Sequence, residues 1–86
     1  MKTLILNNAR IKEVTLKGAS RPFQVTSYYV WIEDSQTGQK YKMVTKNNSS
    51  AYFDARNFAA LKELAKVKYH KTNKGSLILD YIEKEV

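Results

Sequence analysis

The chain has 86 residues, enough for one domain over 1–86 and too few for two independent cores. It contains no cysteine, which excludes disulfides, thiolate zinc sites and thiol nucleophiles. Fifteen Lys and Arg against eight Asp and Glu give a net charge of +7, a field that draws polyanions. The same excess also serves solubility alone, so its localisation decides between the two meanings.

Residues 1–8 carry one charge and an apolar run of three, Leu4 to Leu6. That is too short for a signal peptide or a membrane span, so a cytoplasmic chain with no membrane contact is expected. Residues 2–17 read as a long first strand with Leu4, Leu6, Ala9, Ile11, Val14 and Leu16 as its apolar positions. Parity changes between Ile11 and Val14, which predicts a bulge near Lys12-Glu13. The alternative is a tight turn at Asn7-Asn8 that splits the segment into two short strands.

A turn is expected over 18–22, closed by the single proline, Pro22. Residues 23–34, dense in β-branched and aromatic types, form the second strand. Ser35-Gln36-Thr37-Gly38 is the hairpin loop and 39–46 the return strand. Asp54 is expected to cap a helix over 55–66, with Phe58, Leu61, Leu64 and Ala65 on its buried face. Extended pattern resumes at Val67 to His70. After a Lys/Asn/Gly loop comes a last strand over 77–82, with Leu77, Leu79 and Tyr81 on one side.

The fold class expected is therefore all-β with one short helix, in the order β-β-β-α-β-β. That order belongs to the five-stranded OB-type barrel, with its helix between strands three and four. An SH3-like barrel normally lacks such a helix, whereas a β-grasp domain shares it if Asn7-Asn8 is a turn.

The central hairpin has a preferred register. With Ser35 to Gly38 as loop, Asp34 faces Gln39, Ile32 faces Tyr41, Trp31 faces Lys42 and Val30 faces Met43. One side then carries Tyr28, Val30, Ile32, Tyr41, Met43 and Thr45; the other carries Ser27, Tyr29, Trp31, Glu33, Lys40, Lys42, Val44 and Lys46. A slip of one residue would bury lysines among apolar side chains, at a large desolvation cost. The segregated register leaves two large aromatic rings beside three lysines.

Rings stack on any base, and ammonium groups neutralise the phosphates between bases. In OB-folds the ligand crosses strands two and three between the loops joining strands 1–2 and 4–5. Here those loops hold Lys17 and Arg21, then Lys71 and Lys74, with Phe23 at the edge. The candidate nucleic-acid-binding residues are thus Arg21, Phe23, Tyr29, Trp31, Lys40, Lys42, Lys46, Lys71 and Lys74. Two other readings of the rings stand beside this one: an oligomer interface rimmed by lysines, or core residues if the faces are inverted.

The last third adds a resemblance. In residues 61–86 a short helix runs into Val67-Lys68-Tyr69-His70, then a Lys/Asn/Gly loop and Gly75-Ser76-Leu77-Ile78-Leu79-Asp80. With the small size, basic charge and surface tyrosines, this resembles the single-stranded DNA-binding proteins of filamentous phages and plasmids, which are small OB-barrel proteins that bind as dimers. The resemblance covers about a third of the chain at the level of pattern. It implies cooperative coating and protection of single-stranded DNA during phage or plasmid replication, and a homodimer. The chain ends Tyr81-Ile82-Glu83-Lys84-Glu85-Val86, without the long acidic tail of the bacterial replicative type.

Enzymatic chemistry finds little support. His70 is the single histidine, so no multi-histidine metal site or histidine pair can form within one chain. The carboxylates have no metal-loop spacing, and no phosphate-binding or nucleophile-elbow motif is present. A non-enzyme without metal or cofactor is expected. The rivals are a protein-interaction or oligomerisation module and an RNA-binding OB-fold protein. Cold-shock proteins share the barrel, but their Gly-Phe-rich strand signatures are missing here, so DNA is the preferred ligand.

Overall fold

The computed structural model describes residues 2–21 and 24–85, leaving aside the side chains of 19–25. Strands β1 (Leu4–Arg21), β2 (Gln24–Asp34) and β3 (Lys40–Lys46) precede helix α1 (Ser50–Leu61), and β4 (Leu64–Lys71) and β5 (Leu77–Lys84) follow it. The order β-β-β-α-β-β matches the sequence reading. The five strands form one closed sheet in the spatial order β1-β2-β3-β5-β4, with β4 returning to β1. All neighbours are antiparallel except β3 and β5, which run parallel and meet through two residue pairs, Met43 with Leu77 and Val44 with Ile78.

Closure bends β1, and bulges supply the bend, two of them in its first half and further register shifts from Lys17 onward. The expected one lies at Lys12: Ile11 pairs with Ile32 and Glu13 with Trp31, so Lys12 is the extra residue. The second lies at Asn7-Asn8, where Leu6 pairs with Val67 and Ala9 with Ala65 across a single intervening residue of β4. The strand is therefore continuous, and the alternative of a tight turn there is excluded. Asn8 takes φ of 54°, a left-handed conformation that asparagine tolerates better than most residues. Its bulge turns Leu6 and Ala9 to the same buried side.

The freed backbone of Asn8 is used. Its carbonyl accepts from the Ser35 amide at 3.1 Å and from Ser35 Oγ at 2.6 Å, and its amide donates to Glu85 Oε2 at 3.0 Å. The β2–β3 loop is closed by Asp34 N–H to the Gln39 carbonyl and Gly38 N–H to the Asp34 carbonyl, both at 2.8 Å. The positive φ of Gly38, 77°, suits that turn. Beyond it the predicted register holds at every position from Glu33–Lys40 to Ser27–Lys46. At the other end of β2, the turn expected over 18–22 is corrected. β1 pairs as far as Arg21 with Gln24, and Pro22 lies outside the described residues.

The core sits inside the closed sheet. Val30, Ile32, Met43 and Val67 are its largest fully buried side chains, each contributing about 1.5–3 kcal/mol through burial. Ala51 and Ala55 of α1 close one end of it. The Tyr28 ring stacks on Tyr52 of the helix at 4.5 Å, and Tyr41 leans on Tyr69 across the other end at 6.3 Å.

The helix begins earlier than the sequence reading had it, and its cap differs. Ser49 is the N-cap, its Oγ accepting from the Tyr52 amide at 3.1 Å. Asp54 lies inside the helix. The same Ser49 hydroxyl donates to the Lys46 carbonyl at 2.8 Å and meets Thr45 Oγ1 at 3.0 Å. With one proton and two lone pairs, Ser49 donates to Lys46 and accepts from both Tyr52 and Thr45. Thr45, the buried polar residue of the core, is thereby satisfied.

At its other end the helix stops where Lys62 turns left-handed, φ 58°, its amide bonding the Phe58 carbonyl at 2.9 Å. Leu64 and Ala65, expected on the helix, open β4 instead and pair with Arg10 and Ala9 of β1. The buried helix face is Ala51, Tyr52 and Ala55, while Leu61 is exposed. In β5, Leu79 and Ile82 point inward and Tyr81 outward, against the expected alternation. Tyr69 pairs with Leu79 and Lys68 with Tyr81, so Asp80 is the extra residue that flips the parity.

Because Ser49 joins the cap to the buried threonine, Ser49→Ala is expected to lower stability by about 1–2 kcal/mol. Urea denaturation should show a lower midpoint with an unchanged slope.

Candidate nucleic-acid interface

The register of the five strands lines up one outward row across the closed sheet. Thr15 neighbours Tyr29, Tyr29 neighbours Val44, Val44 neighbours Ile78, and Ile78 neighbours His70. The adjacent row carries Glu13, Trp31 and Lys42. Tyr29 and Trp31 therefore look outward, as the alternation predicted, and are not part of the core cluster. Tyr29 is half-buried and Trp31 is 36% exposed.

Their rings lie 6.0 Å apart, tilted by 58°. Lys42 Nζ sits 4.7 Å from the Tyr29 centroid and 5.8 Å from that of Trp31, and Lys17 Nζ approaches Tyr29 at 5.9 Å. Each such contact at an exposed site is worth about 0.5–1 kcal/mol. The Trp31 indole is also tied down, its Nε1 donating to Thr15 Oγ1 at 2.7 Å. The bulge at Lys12 sets this contact by shifting β1 along β2, so that Glu13 pairs with Trp31 and Thr15 with Tyr29.

Lys17, Tyr29, Lys42 and Val44 form one wall of a depression of about 360 Å³, and Lys74 to Leu77 form the other. Two ammonium groups, from β1 and β3, thus sit by one phenol ring, and Lys74 of the β4–β5 loop lines the same depression. A second depression, on the same Lys17, Val44 and Lys74, continues over Ile78 and Thr72. Lys17 belongs to this cluster and stands outside the nine candidates. The sequence reading set it in the loop joining strands 1 and 2; it lies within β1, as the extra residue between the Leu16–Tyr28 and Gly18–Ser27 pairs.

The other candidates are dispersed. Lys40 flanks the far side of Trp31 with Lys12 and Glu13. Lys46 lies at the opposite end of β3, beside Ser49 and Ser50. Lys71 is exposed at the end of β4 and lines neither depression beside Tyr29. Phe23 and the side chain of Arg21 lie outside the described residues. Acidic groups border the face without entering the Tyr29 depression: Glu33 pairs with Lys12 at 3.8 Å, and Glu83 lies near Lys66 and Lys68 at 4.0 and 3.8 Å.

His70 contacts both oxygens of Asp80 through Nδ1, at 2.8 and 2.7 Å. A second aromatic group caps the helix side. The Tyr52 hydroxyl accepts from Arg56 Nη1 at 3.1 Å. Its bond with Tyr28, and then Arg56, hold Tyr52 below the usual tyrosine range, while the same bond raises Tyr28. Burial, with Tyr41 adding to it, pushes Tyr69 up. Among the described residues no group of three or more His, Asp or Glu is placed to hold a metal ion, and no helix is long and apolar enough to cross a membrane.

Chemically, the face offers two aromatic surfaces, with the Lys42 ammonium lying over both rings and that of Lys17 over Tyr29. No family model, curated protein or solved structure matches the chain.

Thr15→Val keeps the β-branched shape of the strand but removes the acceptor for the indole. Time-resolved anisotropy should then report faster local motion of Trp31, with stability changed by less than about 0.5 kcal/mol.

Proposed function

We propose that this chain is an OB-type barrel that binds single-stranded DNA without catalysing a reaction, coating and protecting it during phage or plasmid replication. The observation that carries the reading is the outward pair Tyr29 and Trp31, with Lys42 poised between the rings. Support for the barrel type comes from the helix between β3 and β4 and from parallel closure of β3 on β5.

In this reading bases stack on Tyr29 and Trp31, and the phosphates between them are neutralised by Lys17, Lys42 and Lys74. Lys40 and Lys46 extend the positive band along β3, and Arg21, Phe23 and Lys71 contribute from its margins. A single strand exposes its base faces, whereas a duplex hides them in its stack, so single strands are the fitting ligand. DNA is preferred to RNA on the missing cold-shock signatures. A homodimer in the cytoplasm, the host's if a phage encodes the chain, completes the proposal.

Lys17, Lys42 and Lys74 correspond to about three phosphates neutralised. The logarithm of affinity for oligo-dT should then fall with the logarithm of salt concentration with a slope of about −2. A slope near zero would contradict the phosphate contacts.

Trp31→Ala should weaken oligo-dT binding by about 1–3 kcal/mol in a fluorescence-anisotropy titration. The outward position of Trp31 leaves the core untouched, so the circular dichroism spectrum should be preserved. Unchanged affinity in this variant would refute stacking at this face.

A further inference from the structure

In the closed order of strands β4 neighbours only β1 and β5, so it lies across the barrel from the β2–β3 hairpin. Its outer face is therefore a second surface, turned away from Tyr29 and Trp31. Cross-strand partners point to one side of a sheet, so Ile5 of β1, Lys68 of β4 and Tyr81 of β5 form one outward row. The pair Lys66 and Glu83 stands on the same face. Ile5 and Tyr81 are 54% and 48% exposed. Lys68 Nζ lies 5.6 Å from the Tyr81 ring centroid, between the two apolar groups.

Charge separates the two faces. The Tyr29 depression has three lysines and no carboxylate in its walls. Two copies pressed together there would bury ammonium groups against one another with no counter-charge. On the β4 face the signs alternate: Glu83 lies 4.0 Å from Lys66 and 3.8 Å from Lys68, and Asp80 holds His70 beside them. Two ammonium groups and two carboxylates thus balance, in a chain whose net charge is +7. The lysine pairs are long and part-exposed, so little is lost when they exchange partners. A two-fold axis sets a patch against its own copy. Only a patch holding both signs can then pair lysine with glutamate.

We propose that this face is the contact between two copies of the chain. In this isologous dimer Ile5 and Tyr81 of each copy are buried against the other, and Lys66 and Lys68 of one meet Glu83 of the other. The proposal rests on the homodimer put forward above and locates its contact surface. The stacking faces then lie on the two far sides, each free to take a strand. A nucleic acid on the β4 face would meet Asp80 and Glu83, which repel phosphate, so a second copy is the fitting occupant.

Sedimentation equilibrium without nucleic acid, at about 100 μM, tests the contact at a concentration where even a weak homodimer is populated. The wild-type chain should be dimeric there. Tyr81→Thr, which keeps strand propensity, should weaken dimerisation about tenfold or more. It should leave the circular dichroism spectrum and the affinity for a short oligo-dT unchanged. Glu83→Lys and Lys68→Glu should each be monomeric alone, and their equimolar mixture should restore the dimer. A wild-type monomer, a Tyr81→Thr dimer of undiminished strength, or no recovery on mixing overturns the interface. A dimer that binds no oligo-dT supports it while removing the ligand reading. Oligo-dT binding by a chain that stays monomeric does the reverse.

Discussion

The two hydrogen bonds from Ser35 to the carbonyl of Asn8 hold the rest of the arrangement in register. A bulge frees that carbonyl from the β1–β4 ladder, and the β2–β3 loop takes it up. The hairpin end is thereby tied to β1 next to Ala9–Asp34, the first pair of the β1–β2 ladder. From that point strict alternation carries down both strands, and Val30, Ile32 and Met43 turn inward while Tyr29, Trp31 and Lys42 turn outward. A shift of one residue would exchange the two sets. Core and candidate ligand face are thus two sides of one decision made at the loop.

The bulges perform related work elsewhere. Each adds one residue to a strand and so reverses its parity: at Asn7-Asn8, at Lys12, at Lys17 and at Asp80. These reversals let an 18-residue β1 wrap a small core, keeping Leu6, Ala9 and Ile11 buried along it. They also decide what stands outside. Lys12 as an extra residue brings Thr15 beside the indole, and Asp80 as an extra residue turns a carboxylate toward His70.

This explains which parts were legible in the sequence. The hairpin was, because its faces differ so sharply in polarity that one register is far cheaper than its neighbours. The Lys12 bulge was, because apolar parity changes there. The Asp80 bulge was not: Leu77, Leu79 and Tyr81 fit a plain alternation, and only pairing with Lys68 and Tyr69 breaks it. The helix cap was misassigned because Asp54 is a good capping residue in isolation. Ser49 wins through its simultaneous bonds to Thr45 and Lys46, which are tertiary and invisible in a local window. Leu64 and Ala65 fit a helical stripe, yet the sheet closes only if they pair with β1. The cluster of Lys17, Lys42 and Lys74 combines three distant segments, so the candidates could be named as residue types but not as neighbours.

The parallel join of β3 to β5 has a further consequence. Four of the five strand interfaces are antiparallel ladders, while this one rests on Met43–Leu77 and Val44–Ile78. A cylinder with one short join opens there first, since the least free energy is lost by parting it. Backbone amides along that line are the ones that exchange with solvent by local opening rather than by global unfolding. Whatever lies across Val44 and Ile78 therefore acts as a clasp on the cylinder, and occupancy of the surface becomes a contribution to the protein's own stability.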